Sequence, residues 1–101
     1  MSISSSDSPS GLPQLQLAHV AKVLAEPKRM RILRDVGASE ESHVPCDSLR
    51  AALNISRPTI SHHIRQLEWA GLLVVSRRGK FVDLSLNRKV LRAYAGSLME
   101  I

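Results

Sequence analysis

The sequence predicts a small, mainly helical domain that carries one β-hairpin. Its 101 residues fit a single domain and leave no room for an enzyme of two lobes. Apolar residues make up 44% of the chain and aromatic residues only 3%, so Leu, Ile, Val and Ala must build the core, which favours helices. The hairpin is predicted from two alternating apolar stretches, residues 72–77 and 80–86, joined at Arg78 and Gly79.

Four helices are predicted before the hairpin and a fifth after it. Apolar residues recur at helical spacing, and a proline opens the second and third helices, where it loses no hydrogen bond. Gly37 is a natural stop for the second helix, and residues 38–44 are interpreted as a polar connection. The first three helices are predicted over these ranges: Leu12 to about Ala25, Pro27 to Val36, and Pro45 to about Asn54.

The fourth helix has the strongest local signals. Ser56 is a good N-cap, Pro58 lies in the first turn, and Gly71 follows the end. A rotation of 100° per residue separates two faces. The apolar face holds Ile60, His63, Ile64 and Leu67. The opposite face is polar and basic, and it holds Pro58, Ser61, His62, Arg65, Gln66 and Trp69.

The hairpin and the last helix complete the predicted domain. In the second strand, Val82, Leu84 and Leu86 point to one side of the sheet, so the hairpin is covered on one face only. Asn87 can cap the last helix, whose apolar stripe is Val90, Leu91, Tyr94 and Leu98. Two short helices separated by a break at residues 54–57 and followed by a basic hairpin tip are typical of a winged helix-turn-helix.

Residues 1–11 differ in composition from the rest of the chain. They are rich in serine, so we expect a disordered arm over 1–11 and a folded domain over 12–101. No apolar run approaches the ~18 residues of a membrane span, and no basic stretch followed by an apolar one indicates secretion. We therefore expect a soluble, cytoplasmic protein that contacts no membrane.

The net charge of +5 is unevenly distributed. Residues 1–55 hold six basic and six acidic side chains, whereas residues 56–101 hold eight basic and three acidic ones. A basic surplus favours a polyanionic partner, so nucleic acid is the first candidate and the C-terminal half is predicted to bind phosphate. The alternative is that the basic face is only solvated.

Three stretches of the chain are distinctive: Ser-Arg-Pro-Thr-Ile-Ser-His-His-Ile at 56–64, the Arg-Arg-Gly-Lys tip at 77–80 and Leu-Ala-Glu-Pro-Lys-Arg-Met-Arg-Ile-Leu at 24–33. Together they closely resemble the ArsR/SmtB family of bacterial transcriptional repressors. The resemblance spans about residues 15–98. It implies a homodimer held by its first and last helices, which binds an imperfect inverted repeat in double-stranded DNA.

The resemblance also implies which residues contact DNA. On the fourth helix they are Ser56, Arg57, Thr59, Ser61, His62 and Arg65. The wing adds Arg77, Arg78 and Lys80 on phosphate. The helical wheel independently places His62 and Arg65 outward, whereas His63 falls on the inward face, where we expect a packing histidine.

The family's usual metal sites are not matched. In register with Leu49, the Cys-x-Cys site of the third helix falls on Pro45 and Asp47, and proline has no donor atom for a metal. The site at the last helix keeps only Asp83, and its other ligand positions hold Ser85, Gly96 and Met99. We therefore predict no metal site and no cofactor.

Cys46 is the only cysteine, so its chain holds no second thiol to pair with it. A thiol near a helix N-terminus can have a lowered pKa, which would suit a redox sensor. The alternative is a small, partly buried residue with no chemical role.

Two functions remain open. The favoured one is a sequence-specific DNA-binding regulator, a homodimeric repressor without the family's metal sensor. The alternative is a winged-helix module for protein–protein contact, which an unpaired Trp69 on the outer face would support. An enzyme is not predicted, because the chain has no glycine-rich phosphate loop, no close carboxylate pair and no nucleophile with an evident base.

Overall fold

The computed structural model describes residues 12–101, so the arm predicted for residues 1–11 lies outside the described range. All five predicted helices and both hairpin strands are present. The helices are α1 (Gln14–Leu24), α2 (Pro27–Ala38), α3 (Cys46–Leu53), α4 (Arg57–Trp69) and α5 (Arg88–Met99). The strands are β1 (Val44–Pro45), β2 (Leu73–Arg78) and β3 (Phe81–Leu86). None of the helices in the described range has the length and hydropathy that a membrane span requires.

The prediction that Gly37 ends the second helix is wrong, because α2 continues to Ala38. Gly37 instead lies where α2 approaches the end of β3. A Cβ atom at this position would lie 3.1 Å from Leu86 Cδ2, which is tighter than ordinary contact. The Gly37 carbonyl accepts a hydrogen bond from Arg88 Nη2 at 3.0 Å. The glycine therefore allows close packing rather than helix termination.

The polar connection predicted for residues 38–44 ends in a short strand that the sequence did not indicate. β1 pairs antiparallel with β3, with Val44 opposite Leu84 and Pro45 opposite Asp83. The sheet order is therefore β1-β3-β2. A strand of two residues is too short to show the alternation that identifies a strand in a sequence.

The hairpin turn lies one residue later than predicted. Arg78 pairs with Phe81, so the loop consists of Gly79 and Lys80. Gly79 has a φ of 59°, a conformation that glycine adopts without steric cost. Because the loop is this short, both wing arginines belong to β2, where the ladder positions them.

The core lies between the helices and the inner face of the sheet. The inward face of α4 is buried as predicted, with Ile60, Ile64 and Leu67 at most 4% exposed. The largest fully buried side chains come from α1, α2, α4, the α4–β2 turn and β3, and they are Val20, Val23, Ile32, Ile60, Leu67, Leu72 and Leu84.

The last helix is much less covered than the others. Asn87 caps α5 as predicted, because its Oδ1 accepts a hydrogen bond from the Val90 N–H at 3.4 Å. Val90, Leu91 and Tyr94 are only half-buried, and α5 has no fully buried residue. A substantial apolar surface of this helix is therefore exposed in the single chain.

Candidate nucleic-acid interface

The turn between α3 and α4 is held by local hydrogen bonds. Asn54 ends α3 in the left-handed conformation, with a φ of 54°. Ser56 Oγ accepts a hydrogen bond from the Thr59 N–H at 3.3 Å and donates one to Thr59 Oγ1 at 2.8 Å. Because the Thr59 hydroxyl acts here as an acceptor, its own proton remains available at the exposed start of α4.

All of the residues predicted to contact DNA are exposed. Ser56 and Thr59 lie at the N-terminus of α4, and Ser61, His62 and Arg65 follow on its outer surface. The wing residues lie in β2 and in the hairpin loop. The structure brings some of the α4 residues close to the wing. Arg57 and Ser61 of α4 and Lys80 of the hairpin loop line one crevice of about 170 Å³ between α3, α4 and β3.

Arg50 also lines this crevice, although it was not among the DNA contacts predicted from the sequence. Its Nε lies 3.7 Å from an Asp47 oxygen, and that nitrogen is buried without a hydrogen-bond partner in the described part of the chain. Arg50 belongs to the half of the sequence with no net charge, and it joins the basic surface only through folding. Its spacing of three from Asp47 indicated merely a helical ion pair.

The two wing arginines are engaged in ion pairs. Arg77 donates two hydrogen bonds to the Glu68 carboxylate, at 3.0 and 3.3 Å, and this pairing raises the pKa of Arg77. Arg78 Nη2 lies 2.8 Å from Asp83 Oδ2. Exposed pairs of this kind contribute only about 0–1 kcal/mol, so a phosphate can compete for both arginines.

The remaining cation of the wing has a different environment. Lys80 Nζ lies 5.9 Å from the centre of the Phe81 ring, within the range of a cation–π contact. Phe81 itself is exposed. An aromatic ring therefore accompanies the charged tip of the wing.

Cys46 lines the same crevice but has the wrong environment for a reactive thiolate. Burial raises the pKa of the Cys46 thiol, and the neighbouring Asp47 carboxylate raises it further, against an opposing effect of Arg50. The redox-sensor alternative therefore gains no support. Within residues 12–101 there is no group of three or more His, Cys, Asp and Glu side chains that could hold a metal ion.

His63 lies in the core, on the inward face where the helical wheel placed it. His63 is only 8% exposed. Its Nδ1 atom is buried without a hydrogen-bond partner among the described residues. Burial lowers the pKa of His63, and the positive charge of Arg29 lowers it further. Lys28 and His62 act in the same direction, while Glu26 opposes them.

The free energy of unfolding is expected to fall as the pH is lowered below about 6.5. The unfolded chain takes up a proton on His63 near its ordinary pKa, whereas the folded protein resists it, so acid favours unfolding. The contribution is at most about 1.4 kcal/mol per pH unit in this window. Urea denaturation between pH 5 and 8 measures it. His63→Gln should flatten the slope, and the matched variant His43→Gln, at an exposed histidine, should not.

Trp69 is 75% exposed at the C-terminal end of α4. It lies seven residues after His62 and four after Arg65, so all three share one helix face. The N-terminus of α4 is about 18 Å away along the helix axis. Trp69 therefore lies at the end of α4 opposite to the crevice.

Comparison with known proteins identifies the class of protein. A family model described as a helix-turn-helix domain matches residues 24–76, just over half of the chain. The transcriptional repressor SdpR of Bacillus subtilis is 32% identical over 74 residues, which are 73% of this chain and 79% of that protein.

Solved structures show the same fold. An ArsR-like transcriptional regulator from Rhodococcus sp. RHA1 superimposes with a TM-score of 0.74 at 25% identity, covering 86% of this chain and 79% of that one. A homodimeric winged helix-turn-helix DNA-binding domain from Mycobacterium bovis, described as a possible ArsR-family regulator, superimposes with a TM-score of 0.67. It is 24% identical, and the match covers 83% of this chain and 76% of that one.

The capped outer helix, the basic wing and these relatives define a DNA-binding transcriptional regulator with a winged helix-turn-helix fold. The chain belongs to the ArsR family of transcriptional regulators. Its relatives and its fold are those of regulators and not of enzymes.

Proposed function

We propose that this protein is a homodimeric repressor that binds an inverted-repeat operator in double-stranded DNA and uses no metal sensor. The observation that carries the proposal is the exposed start of α4, which shares a crevice with the basic wing. A helix of this diameter enters the major groove with its first turns toward the base edges. The relative from Bacillus subtilis is named a repressor, which supports the direction of control.

The proposed contacts divide by chemistry. Ser61, His62 and Arg65 are assigned to base edges, because they are exposed along the outer surface of α4 beyond its cap. Ser56 fixes the start of the helix through its hydrogen bonds with Thr59, and the free hydroxyl proton of Thr59 can be donated to a phosphate. Arg57, Arg77, Arg78 and Lys80 are assigned to phosphates.

The crevice suits a backbone phosphate. Arg50, Arg57 and Lys80 reach it from α3, α4 and the wing loop, so one anion would be held from three sides. Asp47 and Asp83 also line it, but each is close to an arginine, at 3.7 Å from Arg50 and 2.8 Å from Arg78. We therefore add Arg50 to the proposed phosphate contacts.

We propose that a second copy of this chain packs against the exposed surfaces of α1 and α5. Leu15 on α1 is 87% exposed, and Leu98 on α5 is 51% exposed. Full burial of an exposed leucine is worth about 1.5–3 kcal/mol, and less for the half-covered Leu98, which favours association through these surfaces. The structure from Mycobacterium bovis is described as homodimeric, which supports the same arrangement here. The two α4 helices would then lie about 34 Å apart, one DNA turn.

The absence of a metal sensor is supported by the residues at the family positions. Pro45 lies at the N-cap position of α3 and pairs with β3 as part of β1, and its side chain has no donor atom for a metal. The Asp83 carboxylate forms an ion pair with Arg78. Control by zinc is therefore not proposed.

Fluorescence anisotropy tests the proposal. A labelled duplex from upstream of the protein's own gene is titrated beside a scrambled duplex, at two salt concentrations and with and without zinc. We expect tight, salt-sensitive preference for the native duplex that zinc leaves unchanged. Release by zinc would contradict the absence of a metal sensor. Failure to bind either duplex would favour the protein-contact alternative.

His62→Ala is expected to reduce the preference for the operator over the scrambled duplex by about tenfold, while binding to the scrambled duplex changes little. The reason is that a side chain on a base edge contributes to discrimination, whereas phosphate contacts contribute equally to every sequence. The same paired titration measures it. His43→Ala, at an exposed histidine far from α4 in the sequence, is the control. Equal weakening on both duplexes would remove His62 from the base contacts.

A further inference from the structure

An apolar groove of about 470 Å³ lies apart from the residues that are proposed to contact DNA. It is formed by the end of α1, α2, the end of β3 and the start of α5, and it shares no described residue with the crevice between α3, α4 and the wing. Leu24, Met30, Leu33 and Leu91 supply much of its wall. Its volume falls in the range of about 300–1,000 Å³ that is typical of small-molecule sites.

Among residues 12–101, the charged residues that line the groove are two arginines, Arg34 and Arg88, and none of the lining residues in this range is a carboxylate. Arg88 is oriented by its hydrogen bond to the Gly37 carbonyl at 3.0 Å. Arg34 is exposed, and the nearby carboxylate of Asp35 pairs with Arg31 instead. The groove thus combines an apolar wall with positive charge that no carboxylate among its described lining residues neutralises.

Gly37 keeps the base of the groove open. A Cβ atom here would lie 3.1 Å from Leu86 Cδ2 and 4.0 Å from Arg88 Nη2. A side chain at this position would therefore push Leu86 aside, whereas it would only reach ordinary contact with Arg88. Since α2 continues past Gly37 in helical conformation, alanine can be accommodated by the backbone itself.

We propose that this groove binds an amphipathic carboxylate, an alkyl chain with one carboxylate head, as an effector. The alkyl chain would occupy the apolar wall, and the carboxylate would accept charge-assisted hydrogen bonds from Arg34 and Arg88. The effector role rests on the proposed function, because α5 is there assigned to the dimer. A ligand that contacts both α2 and α5 can favour one position of α5, and this would change the spacing of the two α4 helices.

Decanoate is the probe for binding, measured by isothermal titration calorimetry on the full chain without DNA and below the concentration at which decanoate forms micelles. We expect saturable binding of decanoate. 1-Decanol, which lacks the charge, and decyltrimethylammonium, which reverses it, should bind about tenfold more weakly or not at all. No saturable binding of decanoate, or equal binding of decanol, would overturn the proposal.

Two variants test the location of the site. Arg34→Gln should weaken decanoate binding about tenfold, and Gly37→Ala should weaken it by crowding Leu86 in the groove. Lys89→Gln is the matched control, because it removes one charge from an exposed position of α5 that does not line the groove. Equal weakening in Lys89→Gln would overturn the assignment. The assignment would also be overturned if Arg34→Gln lost self-association while its decanoate binding stayed unchanged. That result would indicate that a second copy of the chain occupies the groove.

The effector role is tested on DNA. Saturating decanoate should change the Kd for the operator duplex at least about threefold, and this change should disappear in Arg34→Gln. An unchanged Kd with decanoate bound would overturn the effector role. Decanoate binding is measured without DNA and operator binding without decanoate, so a failure of the groove and a failure of the proposed repressor function give different results.

Discussion

Replacing Leu15 and Leu98 together by aspartate is expected to convert the dimer into monomers and to weaken operator binding by about 100-fold or more. Both side chains are exposed in the single chain, at 87% and 51%, so their replacement removes little packing within one subunit. The loss on DNA arises because two linked α4 helices bind with the benefit of a high effective concentration. Sedimentation equilibrium measures the first effect, and operator anisotropy measures the second.

The control for this variant matches its change in charge. Gln14→Glu with Lys89→Gln also makes the net charge more negative by two, at exposed positions of the same two helices. It should remain dimeric and retain most of its operator affinity. A dimer that persists in Leu15→Asp with Leu98→Asp would show that another surface holds the two subunits together.

Replacing Arg77 and Arg78 by alanine is expected to weaken binding to every DNA sequence and to flatten the salt dependence by about two units for each bound protomer. The ordered pairs with Glu68 and Asp83 hold both guanidinium groups in fixed positions on β2. A phosphate must replace these carboxylates, but exposed pairs of this kind contribute little, so the exchange is favourable. Titrations of the operator and scrambled duplexes at several salt concentrations give the slopes.

Two comparisons make this prediction specific to the wing. Arg31→Ala with Lys89→Ala also removes one ion-paired arginine and one further cation, at exposed positions outside the proposed interface, and should leave the slope nearly unchanged. Glu68→Gln should strengthen binding to all duplexes severalfold, because it releases Arg77 and removes a negative charge. A loss of preference without a change in slope would instead assign the wing to base contacts.

The start and the inner face of α4 followed from the sequence because the interactions that define them are local. Ser56 caps the helix through Thr59, only three residues away, and the buried positions repeat with the helical period. The same reasoning placed His63 inward and the cap at Asn87. These elements needed only neighbours within about one turn of helix.

Gly37 and β1 show where local reasoning failed. Glycine commonly ends helices, but here α2 continues, and the small residue is needed by Leu86 of a distant strand. Val44 joins the sheet because it pairs with Leu84, which lies forty residues later in the chain. In both cases the decisive neighbour lies far along the chain, so no short window of sequence contains it.

The sequence by itself determined the helices and hairpin, the outer face of α4 and the basic surplus after Ser56, since each depends on spacing or on composition. Only the tertiary structure decided that Arg50 joins Arg57 and Lys80 at one crevice. It also decided that carboxylates already hold the two wing arginines, and that an apolar groove with two arginines lies beneath α5. Such features depend on distances between side chains from separate elements, and folding alone sets these distances.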